Sequence, residues 1–171
     1  MVAAAAVSRF RRRYYQGPVQ LARDLGRVIA AVGPAIGLSL KGGISAGFRE
    51  RLMLVVTGVN RCRHCAYGHG ILAARVGLSK DEIAGLLNLD LGTCPESELP
   101  GLRYAIHWAE TDGLPTADAR AGLEATYGVH VARQIDTASL LIHVGNRVGN
   151  SFDFLLVWLS RGYWGLLPDE R

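Results

Sequence analysis

Apolar residues in this chain return every three or four positions, and where that rhythm stops a glycine, a proline or a capping residue stands. From Pro18, the positions Leu21, Ala22, Leu25, Val28, Ile29 and Val32 keep helical spacing, with Pro18 suited to a first turn. Lys41 to Ser45 (KGGIS) reads as a turn. A second helix is expected from Ser45 to Thr57, with Phe48, Leu52, Val55 and Val56 on one face, broken by Gly58 to Arg61. A third runs from Cys62 to Val76, with Gly77 just past its end. SKDE at Ser79 to Glu82 fits a capping box and starts a short fourth helix. Leu89 to Leu99 reads as a loop. Helices follow at Pro100 to Asp112, Thr116 to Tyr127 and, long and mostly apolar, Val129 to Ser160. No run alternates as a strand does, and no Asn-Gly or Asp-Gly turn joins two such runs. The expected fold class is all-α, a single helical domain over 18–171 behind a basic N-terminal arm, 1–17.

The net charge of +4 resides in that arm. Arg9, Arg11, Arg12 and Arg13 precede the first acid, Asp24; the other 15 of the 19 basic residues match the 15 acids. The body is therefore neutral, which argues against a nucleic-acid partner. The arm is expected to be a solvated, frayed terminus rather than a contact for an anionic partner or a neighbouring subunit. VIAAVGPAIGLSL, Val28 to Leu40, is interrupted by Gly33, Pro34 and Gly37 and falls short of the roughly 20 apolar residues of a membrane span. MVAAAAVSRFRRR has its apolar part before its charges, unlike a secretory signal. No membrane partner and a cytoplasmic location are the expectations. Three cysteines, two of them in one CxxC, do not make a secreted disulfide framework.

The chemistry concentrates in CRHCAYGH, Cys62 to His69. At the start of the third helix, Cys62 and Cys65 share a face and His69 lies one further turn along. A helix N-terminus stabilises a thiolate, and an imidazole at i+4 can take the thiol proton. A second thiol one turn away can resolve a sulfenic acid into a disulfide. Glu50, on the preceding helix, could orient or recharge His69. Helical spacing makes Cys65 the partner of His69, whereas the helix terminus favours Cys62 as the thiolate; the residues alone leave the attacking sulphur open. Haem attachment needs CxxCH, and Ala66 follows Cys65. The competing reading is a non-enzymatic zinc site of Cys62, Cys65 and His69, with His64 or Glu50 as a fourth ligand. A second CxxC or a histidine pair is missing, with His107, His130 and His143 scattered singly. Flavin, nicotinamide and phosphate-loop signatures are absent, so no cofactor is expected.

Residues 46–87, AGFRERLMLVVTGVNRCRHCAYGHGILAARVGLSKDEIAGLL, resemble the core of the carboxymuconolactone decarboxylase superfamily in its AhpD-like alkylhydroperoxidase branch. The branch motif is Glu, eleven residues, CxxC, three residues, His; Glu50, Cys62, Cys65 and His69 match each spacing, and His64 matches the CxHC version. The late Asn146-Arg147 pair is also family-like. The resemblance implies an AhpD-like helical fold assembled as a homo-oligomer, a trimer or hexamer. It implies that Glu50, through a bound water, tunes His69, which deprotonates Cys65, with His64 an accessory member of the relay and Cys62 closing the disulfide. It further implies a hydroperoxide or disulfide substrate and a thiol electron donor such as a lipoylated protein or a peroxiredoxin. The decarboxylases of the superfamily lack the cysteine pair, so Cys62 and Cys65 favour thiol redox chemistry.

His143, Asn146, Arg147, Asn150 and Asp153 form a polar stripe on the last helix, expected to hydrogen-bond between helices. Cys94 is expected to be a bystander, and Trp108, Trp158 and Trp164 core or interface. The tail RGYWGLLPDER is apolar enough to dock on the body or on a neighbouring subunit.

Overall fold

The computed structural model describes residues 7–31 and 43–171. Val32 and the first two residues of the KGGIS turn lie outside them. Among the described residues six helices carry the fold: α1 Pro18–Ala30, α2 Ala46–Asn60, α3 Arg63–Arg75, α4 Lys80–Leu87, α5 Leu99–Glu110 and α6 Ala117–Leu159, with short 3-10 turns at Glu96–Glu98 and Pro168–Glu170. Among the described residues there is no strand. The helix starts follow local chemistry. The side chains of Ser45, Cys62, Ser79 and Thr116 each accept the backbone N–H three residues on. Gly128, at φ 77°, breaks α6 where the sequence separates its last two helices.

The hub is α2, packed against α3, α4, α5 and α6. Leu52, Leu54, Val55 and Val56 are buried on more than one side of the helix, as a central helix requires. Contrary to the expected break at Gly58, α2 runs on to Asn60 and ends at Arg61, in the left-handed conformation at φ 56°. Gly58 serves packing instead. A Cβ there would stand 2.6 Å from the Leu87 carbonyl oxygen, so only glycine lets α2 and α4 approach this closely.

The first helix turns the other way from its periodicity. Asp24 is 1% exposed, while Leu25 is 55% and Ile29 64% exposed. The cause is electrostatic: Arg147, buried on α6, donates to Asp24 at 2.7 Å, and a buried guanidinium without a carboxylate costs more than an exposed leucine.

The basic arm is not a frayed terminus from Val7 on. Phe10 packs with Val157 and Leu166, and Tyr14 stacks on Phe154 at 4.1 Å between centroids. Against the Phe10 ring Arg12 is fully buried, donating to Asp153 at 2.6 Å and pairing with Glu170 at 3.1 Å. The tail docks through Leu166 and Glu170, while Tyr163 and Trp164 stay exposed. Trp108 is core, whereas Trp158 is exposed. No helix of the described residues is long and apolar enough to cross a membrane.

Candidate active site

Cys62 occupies the N-cap of α3, set there by the tight Arg61 turn that ends α2. Its sulphur accepts the Cys65 backbone N–H at 3.4 Å and lies 3.0 Å from the Cys65 sulphur. Both thiols are free. Cys62 is buried at 1% exposure, while Cys65 is partly exposed. Across from Cys62 runs α6, and a Cβ at Gly149 would stand 2.8 Å from the Cys62 sulphur. The absence of a side chain at Gly149 makes the seat for this thiol.

The two sulphurs titrate apart. Cys62 is lowered to about 6, first because the Cys65 thiol donates to it; burial opposes this, and the Cys65 N–H, the nearby His64 and the His64 N–H add to the lowering. Cys65 is raised, by that same hydrogen bond, by burial and by the charge on Cys62. The cap position and the hydrogen bonds at its sulphur favour a thiolate at Cys62 over one at Cys65. Cys94 is raised by burial and stands apart from the pair.

Glu50 and His69 meet directly, Oε2 to Nδ1 at 2.8 Å, rather than through the water implied by the resemblance. Glu50 is buried on α2, which packs against α3. No hydrogen bond among the described residues links His69 to either thiol. His64 turns away from His69 and places Nε2 2.9 Å from Asp153 Oδ1. The site thus holds two histidine–carboxylate pairs, Glu50–His69 and Asp153–His64.

Asp153 was legible only as part of a polar stripe. It receives Arg12, Arg63 at 2.6 Å and His64; burial pushes its carboxyl up, but these donors outweigh burial and hold it below the ordinary range. The rest of the stripe is bonded between helices: Thr57 donates to Asn146 at 3.2 Å, Asn60 bonds His143 at 3.0 Å, and Asn150 donates to the Asn60 carbonyl at 2.8 Å. Asn60 and Asn150 thereby fix the end of α2 that carries the Arg61–Cys62 turn. An acid in an apolar helix must find a cation, and that was the available signal for Asp153.

The zinc reading lacks its ligand set. Among the described residues no group of three or more His, Cys, Asp or Glu side chains is arranged to hold a metal ion. His64 is engaged by Asp153 and His69 by Glu50, leaving the two sulphurs.

Comparison with curated proteins and with solved structures gives no match. Comparison with protein families gives one, the carboxymuconolactone decarboxylase family, over residues 23–111. That span holds α2 to α5 and every residue of the dithiol and of the Glu50–His69 pair, and it exceeds half of the 171 residues. The chain belongs to the carboxymuconolactone decarboxylase family.

Proposed function

We propose that the protein is an enzyme, a thiol-dependent peroxidase of the AhpD-like branch, cycling Cys62 and Cys65 between dithiol and disulfide. The observation that carries this reading is the 3.0 Å pair of sulphurs with Cys62 held as the cap of α3. A decarboxylase has no use for such a pair. The Cys62 thiolate attacks the terminal oxygen of a hydroperoxide R–O–OH, and the O–O bond breaks. The alkoxide takes the Cys65 proton and leaves as the alcohol, with Cys62 now a sulfenic acid. The Cys65 thiolate then attacks the Cys62 sulphur, and the S–O bond breaks. Hydroxide departs as water with a proton passed by way of Glu50 and His69. The two thiols have lost two electrons and the peroxide has gained them. An external dithiol, such as a lipoylated protein or a peroxiredoxin partner, reduces the disulfide.

This assignment reverses the roles implied by the resemblance; its support is the position of Cys62 at the cap of α3, where the Cys65 thiol and the Cys65 N–H lower it. A homo-oligomer, trimeric or hexameric, and a cytoplasmic setting belong to the same proposal. The exposed apolar run Val148, Phe152, Leu155 and Leu159 on α6 supports the oligomer.

The test is peroxide consumption with excess dithiol, combined with intact mass before and after one equivalent of peroxide. Cys62→Ser and Cys65→Ser should each abolish multiple turnover, and wild type should lose two hydrogens on oxidation. Full turnover by either variant would end the dithiol reading.

A further inference from the structure

Between the basic arm and α6 lies a cavity of about 550 Å3 whose walls carry four arginines against one acid. Arg11, Arg12 and Arg13 come from the arm and Arg147 from α6, with Asp112 opposite. A cleft lined chiefly by one sign of charge concentrates the opposite sign. Two of the four arginines are held by carboxylates, Arg12 by Asp153 and Glu170, and Arg147 by Asp24 and Asp112. Those acids are shared further: Arg63 also reaches Asp153, Arg23 reaches Asp24 and Asp112, and Arg27 reaches Asp24. Seven guanidinium groups thus stand around four carboxylates, a surplus of three positive charges.

The surplus falls on the cavity. Arg13 donates to the Asn60 side chain at 3.3 Å and to the Ala109 and Glu110 carbonyls at the end of α5, dipoles that leave its charge without a counter-ion. Among the described residues Arg11 is tied by its backbone N–H alone, to Glu170 at 3.3 Å, and its exposed guanidinium has no partner. Arg147 is 3% exposed, and its buried Nε finds no acceptor among the described residues. On a residue that lines a cavity, an orphaned charged donor points to an acceptor supplied from outside the chain.

Arginine also selects the anion. Planar forks arriving from several directions suit a tetrahedral phosphate, which has oxygens to offer each of them, better than a flat carboxylate. A phosphate monoester carries close to two negative charges at neutral pH, within the surplus available.

We propose that this cavity is a binding site for a small molecule carrying a phosphate group, held by Arg11, Arg13 and the Nε of Arg147. None of the residues lining it belongs to the dithiol or to the Glu50–His69 pair, so the proposal stands independently of the peroxidase reading. Two side chains nevertheless connect the places. Arg13 bonds Asn60, two residues before Cys62, and Arg12 shares Asp153 with His64.

The experiment titrates the reduced, full-length protein with inorganic phosphate and with phenyl phosphate by calorimetry, at fixed ionic strength with chloride as the background anion. Amide hydrogen exchange over residues 10–16 is followed with and without each. One phosphate group should bind per chain and slow exchange over that stretch. Arg11→Gln should weaken binding about tenfold, the scale of one charge-assisted hydrogen bond. Arg103→Gln, at an exposed arginine on another cavity, should bind as wild type does. Tighter binding of phenyl phosphate would support the site with an organic ester as its occupant. Equal or tighter binding of inorganic phosphate would support it with the free ion. Absence of binding by both at millimolar concentration overturns the proposal, as does full affinity in Arg11→Gln or binding that leaves exchange over 10–16 unchanged. An equal loss in Arg11→Gln and Arg103→Gln overturns it too, since diffuse attraction to a basic chain would then explain the heat.

Discussion

A cysteine at a helix N-cap does two jobs, and Gly149 lets Cys62 do both. Alanine at Gly149 would bring a methyl to 2.8 Å from the Cys62 sulphur. The cheap relief is rotation of the Cys62 side chain, since a helix backbone yields less readily than one torsion. Rotation withdraws the sulphur from the Cys65 N–H and from the Cys65 thiol, the interactions that lower it to about 6. In wild type, below that pH the thiol is protonated and unreactive, and above it the thiolate reacts with a reagent small enough to reach its buried sulphur. The midpoint of iodoacetamide reactivity at Cys62 should therefore lie near 6, and Gly149→Ala should move it up towards the ordinary thiol value of about 8.5. A midpoint that stays put in the variant would show that Gly149 does not seat the thiol. Stability should change little, because the better helix propensity of alanine offsets the lost cap.

At the scale of helices, Gly58 tests packing against propensity. Alanine gains roughly 1 kcal/mol over glycine inside a helix, whereas a methyl driven into a fixed backbone carbonyl costs about 1–3 kcal/mol. The Leu87 carbonyl cannot rotate away, so Gly58→Ala should destabilise by up to about 2 kcal/mol in urea unfolding. A stabilised variant would mean that α2 and α4 have slack. The same glycine shows what a sequence conceals. Caps and helix-ending glycines act within a few residues, which made the spans of α3, α4, α5 and the break at Gly128 legible. A glycine needed by a helix packed from elsewhere looks the same on paper as one that ends its own. Asp24 hid its role for a similar reason: its partner Arg147 lies far along the chain, and α1 alone advertises only its apolar face. The CxHC, Glu50 and His69 were readable as a group from spacing. Gly149 and the Asp153–His64 pair were not, because tertiary contacts alone bring them there.

Over the whole molecule, Arg12 joins what the chain order separates. One guanidinium, fully buried, binds Asp153 of α6, Glu170 of the tail and the Gly165 carbonyl. Removing one partner of a buried pair leaves the other charge stranded, at about 3–5 kcal/mol. Arg12→Ala should therefore lower the melting temperature by roughly 6–20 °C, at about 2–4 °C per kcal/mol for a chain of this size. It should also free the tail to early proteolysis near Leu167. A melting temperature within a degree or two of wild type would make the arm an ornament.

The capping role of Cys62 has a consequence in time. In the proposed cycle, the sulphur that receives the Cys65 N–H is the sulphur that becomes sulfenic acid and then disulfide, so the first turn of α3 loses its acceptor whenever the enzyme is oxidised. The lost cap is worth about 1 kcal/mol, but the disulfide closes the same turn with a covalent bond. In the proposed cycle the oxidised form therefore exchanges a hydrogen-bonded turn for a cross-linked one, and an incoming dithiol meets its disulfide on a segment held shut.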